Sequence, residues 1–192
     1  MQTDGMSPAD IFRGERVRLA MEAPKIIGEL FSRWGRDSEY WRLLASDPAT
    51  PRSPKAIQAW VEKFLEKDPP EVYMFMIRAL EDDRLIGEIG LDGVQWEHGE
   101  SFVGLSLGER SDWGKGYGTD AMRVILRYAF TELNLARVSL TVFEYNPRAM
   151  RSYEKAGFRY EGRSRQFLRR DGQRYDLLFM GILREEWQAM NA

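Results

Sequence analysis

Cysteine, histidine and long apolar runs are all scarce in this chain of 192 residues. The chain has no cysteine, which excludes a disulfide framework, a thiolate metal site and an acyl-cysteine intermediate, so no bound metal is expected. The single histidine, His98, stands in a loop-like segment. No apolar run is long enough to span a membrane and no signal-peptide pattern is present, so we expect a cytoplasmic protein.

An excess of charge of one sign is also missing. Lys and Arg number 28 against 30 Asp and Glu, a net charge of −2, which gives the whole molecule no reason to bind polyanions. A basic stretch with interleaved aromatics, 148–174, could mark a nucleic-acid surface. Helical and strand alternation explain its aromatics as core, so no nucleic-acid partner is expected. The length predicts one compact domain over 9–192, preceded by a loose tail over 1–8.

The most informative segment is 101–130, where a strand-like run, a glycine-rich turn and an amphipathic helix follow one another. The turn contains Gly114, Gly116 and Gly118 and precedes a helix predicted over 120–130. Unpaired amides and the positive dipole end of a helix attract phosphate, and glycines let an anion approach the main chain closely. The alternative is a purely structural strand-to-helix turn. The glycine spacing fits neither a Walker loop nor a dinucleotide fingerprint.

A second block runs from Asn146 to Phe158. Asn146 is expected to cap a helix, Pro147 to be its first residue and Gly157 to end it. Positions i, i+3 and i+7 share a helix face, so Asn146, Ala149 and Tyr153 should point the same way.

Together these blocks resemble the acetyl-CoA motifs of the GNAT superfamily of N-acetyltransferases, most closely its RimJ/RimL-like branch. The resemblance is carried by Leu105-Ser-Leu-Gly108, by Trp113-Gly-Lys-Gly-Tyr-Gly-Thr119 and by the Asn146 block. It extends to a closing hairpin with Asp171-Gly172 at its turn and a Tyr175-Asp176 step. Trp113 stands where the superfamily usually has Gln or Arg, so the resemblance implies the amide cradle and not a side-chain contact there.

The resemblance implies a single-domain GNAT-like α/β (α+β) fold, with a mixed, mostly antiparallel sheet and a central splayed parallel βαβ pair flanked by helices. It also implies acetyl-CoA as co-substrate, an amine acceptor and, as is frequent in the family, a homodimer. The cofactor-binding residues that it implies are Leu105, Leu107, Gly108, Trp113, Gly114, Lys115, Gly116, Tyr117, Gly118, Thr119, Asn146 and Arg151.

In the family, the tyrosine at the place of Tyr153 faces the thioester sulfur. A tyrosine has an unperturbed pKa near 10, so Tyr153 is protonated at neutral pH and can donate to the leaving thiolate. A backbone N–H near Leu107 is the implied donor to the thioester oxygen. Without cysteine, direct attack in a ternary complex is the more natural route. The general base is assigned only as a hypothesis to Glu88, with His98 as the weaker alternative.

Two questions stay open at the level of sequence. Another acyl-CoA or a non-catalytic CoA-binding role is an alternative to acetyl transfer, and the acceptor is a peptide N-terminus or a small molecule. The aromatic residues Trp34, Tyr40, Trp41 and Trp60 either pack helices together or line an acceptor groove.

The remaining pattern predicts the elements around the motifs. Helices are expected over 24–34 and 54–67, the second ended by Asp68-Pro-Pro70. Strands are expected over 17–20, 72–80, 85–94, 101–108 and 138–143. The last two flank a helix and should therefore be parallel.

Overall fold

The structure is a computed structural model that describes residues 10–66 and 72–192. Seven strands form one sheet in the order β1-β2-β3-β4-β5-β7-β6. Neighbouring strands are antiparallel except β4 and β5, which are parallel, so the predicted mixed sheet with a central parallel pair is confirmed. The strands are β1 (Val17–Ala20), β2 (Val72–Ala79), β3 (Leu85–Gln95), β4 (Glu100–Leu107), β5 (Arg137–Phe143), β6 (Arg159–Arg170) and β7 (Gln173–Leu183).

The helices pack on the sheet in two apolar clusters. The helices are α1 (Pro24–Trp34), α2 (Ser38–Leu44), α3 (Pro54–Leu65), α4 (Tyr117–Thr131), α5 (Pro147–Lys155) and α6 (Arg184–Met190). Residues of α1, α2 and α3 form one cluster with Met76 of β2, and α4 is at the centre of the other. The predicted apolar stripe of α4 is buried, because Ala121, Val124, Ile125 and Ala129 are almost completely inaccessible to solvent. No helix within the described ranges is both long and apolar enough to cross a membrane.

Element boundaries differ from the sequence prediction at several points. Helix α3 ends at Leu65 instead of 67, while its predicted Asp68-Pro-Pro70 terminator and the predicted tail 1–8 lie outside the described residues. Helix α4 begins at Tyr117, three residues before the predicted start, because Gly116 adopts a left-handed conformation at its N-cap. The seven-residue helices α2 and α6 were not predicted, since neither is long enough for a clear 3.6-residue period.

The parallel pair is joined only at one end. Strands β4 and β5 are in register from Glu100↔Arg137 to Phe102↔Ser139, and the pairing stops there. Beyond this point the two strands separate and leave a gap at the carboxyl end of β4. The predicted splay is therefore present.

Backbone groups of β4 face this gap. Gly108 N–H donates to Ile86 O at 2.9 Å, so the pair Leu107↔Gly87 is a non-hydrogen-bonded pair of the antiparallel ladder. The N–H and C=O of Leu107 therefore point away from β3 and toward the gap. The same alternation turns the N–H and C=O of Leu105 to that side.

Candidate active site

The gap between β4 and β5 opens into a cavity of about 450 Å³. Helices α4 and α5 form one side of it, and Tyr40, Leu43 and Leu44 of α2 close the opposite end. Ten of the twelve predicted cofactor-binding residues line this cavity, and Gly108 and Lys115 do not. The ten are Leu105, Leu107, Trp113, Gly114, Gly116, Tyr117, Gly118, Thr119, Asn146 and Arg151.

The glycine-rich turn has the backbone geometry that glycine alone adopts easily. Gly114 and Gly116 have φ angles of 78° and 89°, in the left-handed region. Both residues are exposed, and Gly116 lies at the N-cap of α4, where the first helical amides have no intrahelical partner. This arrangement fits the diphosphate of CoA, because an anion can reach the amides without meeting a side chain at either glycine.

The turn between β2 and β3 forms hydrogen bonds with both ends of this loop. The side chain of Asp112 is fully buried and accepts two hydrogen bonds from Arg84, at 2.7 and 2.5 Å. Tyr117, the first residue of α4, donates its hydroxyl hydrogen to Glu81 at 2.7 Å. The loop between Asp112 and Tyr117 is thus held by two polar contacts to a neighbouring turn.

A basic wall lies opposite the loop. Arg148, Arg151 and Lys155 of α5 follow the spacing i, i+3, i+7, and all three line the cavity. None of them forms an ion pair with a described carboxylate. Cations without a carboxylate partner beside exposed amides can complement the charge of a bound phosphate.

Trp113 takes part in this wall, although it replaces the usual Gln or Arg. The Cζ of Arg148 lies 3.8 Å from the centroid of the Trp113 ring, within the range of a cation–π contact. The indole N–H donates to Leu107 O at 2.9 Å. Partial burial lowers the pKa of Arg148. Trp113 therefore positions the guanidinium group of Arg148 beside the cavity, where the family usually has a polar side chain on the loop itself.

Tyr153 lies at the inner end of the cavity, near a polar cluster on β3 and β4. Glu88 of β3 is the cross-strand partner of Ser106 of β4, whose hydroxyl lies 3.0 Å from that of Tyr40. Burial raises the pKa of Glu88 to about 7, although a hydrogen bond from Ser106 opposes the shift. Burial, and next the charge of Glu88, raises the pKa of Tyr153 to about 12 and also raises that of Tyr40. Tyr153 is thus protonated at neutral pH, beside a carboxyl group that titrates near neutrality.

Asn146 is the N-cap of α5, as predicted. Its side-chain oxygen accepts a hydrogen bond from Ala149 N at 3.2 Å, and Pro147 is the first helical residue. Asn146, Ala149 and Tyr153 all line the cavity, which confirms that they share one face of the helix. The predicted stop, Gly157, has a φ of 104°.

Four candidate site residues do not line the cavity: Glu88, whose cross-strand partner Ser106 does line it, and His98, Lys115 and Gly108. His98 is exposed in the turn between β3 and β4, at the end of the sheet opposite the gap, because the chain reverses there before β4 begins. Lys115 points to Asp112, with 3.9 Å between Nζ and Oδ1. Gly108 is a packing position, since a Cβ there would lie 2.0 Å from the Trp34 ring.

Several of the residues that line the cavity were not assigned to the functional site from the sequence. Ser106 was not proposed as a site residue, and Arg148 was considered only as part of the basic stretch 148–174. A serine inside a buried strand and the i, i+3, i+7 spacing of α5 are usable signals. Tyr40 was assigned to an undecided aromatic group, and it is both buried and part of the cavity. In the same group Trp34 is core, whereas Trp60 is 43% exposed.

The described residues, 10–66 and 72–192, contain no cluster of potential metal ligands. No group of three or more His, Asp or Glu residues there could hold a metal ion.

Comparisons with known proteins agree with the fold and the cavity. Residues 18–159 match the family model of the acetyltransferase (GNAT) domain. The chain is 33% identical over 139 residues to the SPbeta prophage-derived N-acetyltransferase YokL of Bacillus subtilis, covering 72% of this chain and 75% of YokL. It is 27% identical over 150 residues to YdaF of the same organism, whose name provisionally assigns it as a ribosomal N-acetyltransferase, covering 77% of this chain and 79% of YdaF.

A solved structure supports the fold. The spermidine N-acetyltransferase of Vibrio cholerae, in complex with CoA and spermine, superimposes with a TM-score of 0.74 at 23% identity, covering 90% of this chain and 98% of that one. The chain belongs to the GNAT family of acetyltransferases. It is an acetyl-CoA-dependent N-acetyltransferase.

Proposed function

We propose that this enzyme acetylates the primary amine of a peptide N-terminus or a small molecule, by direct attack within a ternary complex, as a RimJ/RimL-like acetyltransferase. The main support is the arrangement of three groups: Tyr153 and Leu107, which line the cavity, and the carboxyl group of Glu88, whose cross-strand partner Ser106 lines the same cavity. The provisional assignment of YdaF to ribosomal N-acetylation supports the branch.

Each group has a distinct role in this proposal. Bound acetyl-CoA supplies an acetyl group that is activated as a thioester. The N–H of Leu107 stabilises negative charge on the carbonyl oxygen, a contribution of about 2.7–4 kcal/mol for one such donor in other enzymes. Tyr153 holds the proton for the leaving sulfur. Glu88 takes up the proton that the acceptor amine releases, through Ser106 or water.

The residues along the phosphate loop and α5 hold the co-substrate. The amides around Gly114 and Gly116 receive the diphosphate, and the cations Arg148, Arg151 and Lys155 face its charge. Asn146 contacts the pantetheine arm, in line with its position beside the gap.

The pKa of Glu88 favours a weakly basic acceptor. Deprotonation at pH 7 costs about 1 kcal/mol for an α-amine with a pKa near 8, but about 4.6 kcal/mol for a lysine amine near 10.4. A carboxyl group that titrates near 7 suits the first task, because a weak base suffices. We therefore place α-amines and other amines of low pKa first among the acceptors.

Replacement of Tyr153 tests the proposed chemistry. Tyr153→Phe keeps the ring and removes the proton donor, so kcat should fall by roughly 10²–10⁴-fold while the Kd of acetyl-CoA stays nearly constant. The assay is free thiol release with acetyl-CoA and a panel of amines, and binding is measured by calorimetry.

Tyr160→Phe is the matched control, because Tyr160 is exposed on β6 and does not line the cavity. Near-normal turnover in Tyr153→Phe would make Tyr153 a packing residue. A wild-type protein that acetylates no amine in the panel would contradict the proposed acceptor class.

A further inference from the structure

A second recess adjoins the cavity beside α2. It has a volume of about 410 Å³ and lies between α2 and the β6–β7 turn. Leu43 lines both spaces and separates them. A recess of this size next to the proposed reaction centre can hold the part of an acceptor that is remote from its amine.

Aromatic rings connect the two spaces. Phe143, which lines the cavity, stacks on Tyr145 with centroids 5.3 Å apart and an interplanar angle of 12°. Tyr145 in turn contacts Tyr175 edge-on at 4.9 Å, and both tyrosines line the recess. A continuous aromatic wall therefore leads from the cavity into the recess.

Positively charged side chains outnumber negatively charged ones in the recess. It is lined by three arginines, Arg42, Arg110 and Arg170, and by two carboxylates, Glu39 and Asp171. Arg42 forms an ion pair with Asp171, and Arg110 forms one with Glu39 at 2.6 Å. Both carboxylates are therefore already paired.

Arg170 is the arginine of the recess that has no carboxylate partner among the described residues. Its Nη2 donates to Ala45 O at 2.5 Å and to Asp47 O at 3.5 Å, so neutral carbonyls take the place of an anion. Its Nε is buried and has no hydrogen-bond partner there. A partly buried guanidinium without an anion is incompletely compensated, and a ligand carboxylate is the group that arginine recognises best.

We propose that this recess binds a carboxylate of the acceptor, so that the substrates are amines that also carry an acidic group. The inference rests on the proposed function and narrows its acceptor class. It also predicts poor turnover of polyamines. Spermine has only positive groups, and the carboxylates of the recess are already bound to Arg42 and Arg110.

The test uses pairs of acceptors that differ in the acidic group. Each rate is divided by the deprotonated fraction of the amine, because an acid and its amide differ in amine pKa. Linear ω-amino acids with two to five carbons between amine and carboxylate are compared with their primary amides. The same comparison is made for α-amino acids and their amides, and for C-terminally amidated dipeptides that bear Asp or Asn second. We expect kcat/KM to favour the acid by about tenfold or more at the best spacing, as a charge-assisted hydrogen bond allows. The dipeptide arm separates a peptide carboxylate from that of a free amino acid.

Substitution of Arg170 assigns the effect to the recess. In Arg170→Gln the acid-to-amide ratio should fall toward one, mainly through the acceptor KM. In Arg170→Lys part of the preference should remain, which guards against a fold defect in the glutamine variant. Arg169→Gln is the control, because Arg169 is an exposed neighbour outside the recess.

The outcomes separate the two proposals. Equal or faster acetylation of the amides or of spermine by the wild type, or a preference that persists in Arg170→Gln, would overturn the carboxylate site and leave the acetyltransferase proposal standing. A wild type that binds CoA and acetylates none of the amines would overturn both.

Discussion

The two ends of the cavity are built in different ways. The end that we propose for the cofactor combines backbone groups of the loop 113–119 with side chains of the helix that Asn146 caps, so it comes from two contiguous stretches of chain. The recess that we propose for the acceptor adjoins the other end. It is formed by Arg110 and by side chains from α2, the segment after β5 and the β6–β7 hairpin, which meet only in the folded protein. Arg42 and Asp171, for example, are 129 residues apart in sequence and form an ion pair.

This difference separates cofactor binding, which is general in the family, from acceptor selection, which is particular to this enzyme. Amides of a glycine turn recognise any diphosphate, because they offer direction and partial charge but no side-chain identity. The selection of an acceptor depends on which side chains line the far end. A change at one end should therefore leave the preferences of the other end in place.

Glu88 is the proposed base of the reaction itself, so its substitution should have a larger effect than a change in the binding of either substrate. Its carboxylate form accepts protons and predominates above its pKa of about 7, so turnover should rise with pH through that value. In Glu88→Gln this limb should disappear and leave only the titration of the amine, with kcat at pH 8 reduced by roughly 10²-fold. The measurement is kcat against pH for both proteins.

The stability of Glu88→Gln gives a second readout that does not depend on activity. The pKa of Glu88 is raised in the folded state, so its contribution to stability is fully present below the unfolded value near 4.5 and is lost as pH rises through about 7. The Tm of the glutamine variant relative to the wild type should therefore increase from pH 4.5 to pH 8. A pH-independent difference, together with an unchanged activity profile, would remove Glu88 from the mechanism.

Gly116→Val should impair cofactor binding without affecting the choice of acceptor. A β-branched residue is strained at a φ of 89°, and its Cβ would lie 3.4 Å from Arg16 Nε. We expect the Kd of CoA to increase by about 10–100-fold, while the preference among acceptors at saturating acetyl-CoA is unchanged. Gly162→Ala is the control, because a Cβ at Gly162 meets no atom within 4 Å. An unaltered Kd in the valine variant would show that this loop does not bind the diphosphate.

The same contrast explains how far the sequence could be interpreted. Local signals predicted the elements well. Asn146 accepts its predicted capping hydrogen bond, and Asp171 and Gly172 have positive φ angles, as the predicted hairpin turn requires. Gly108 was assigned to the cofactor because it lies within a family motif. The structure shows that Trp34, 74 residues earlier in the chain, occupies the space beside it.

The acceptor end had no comparable signal in the sequence. Ser106 and Glu88 become neighbours only through the β3–β4 register, and Arg170 acquires its surroundings from α2 and Tyr145. A basic and aromatic stretch was visible over 148–174, but composition does not show which of its arginines have carboxylate partners. The pairing of each arginine depends on the tertiary structure, and it determines which arginines are available to bind a ligand.

The smallest effect is expected where a distant turn supports the phosphate loop. Asp112→Asn keeps the shape of the side chain and removes the charge that Arg84 contacts through two hydrogen bonds. The loop keeps its glycine conformations but loses one of its two anchors to the β2–β3 turn, so the KM of acetyl-CoA should rise about three- to tenfold with kcat nearly constant. Asp83→Asn is the control, because Asp83 lies in the same turn and pairs with the partly exposed Arg18. If Asp112→Asn lowers the Tm and leaves this KM unchanged, the contact stabilises the fold without positioning the amides. The amides around Gly114 and Gly116 would then keep their geometry through the left-handed glycines alone.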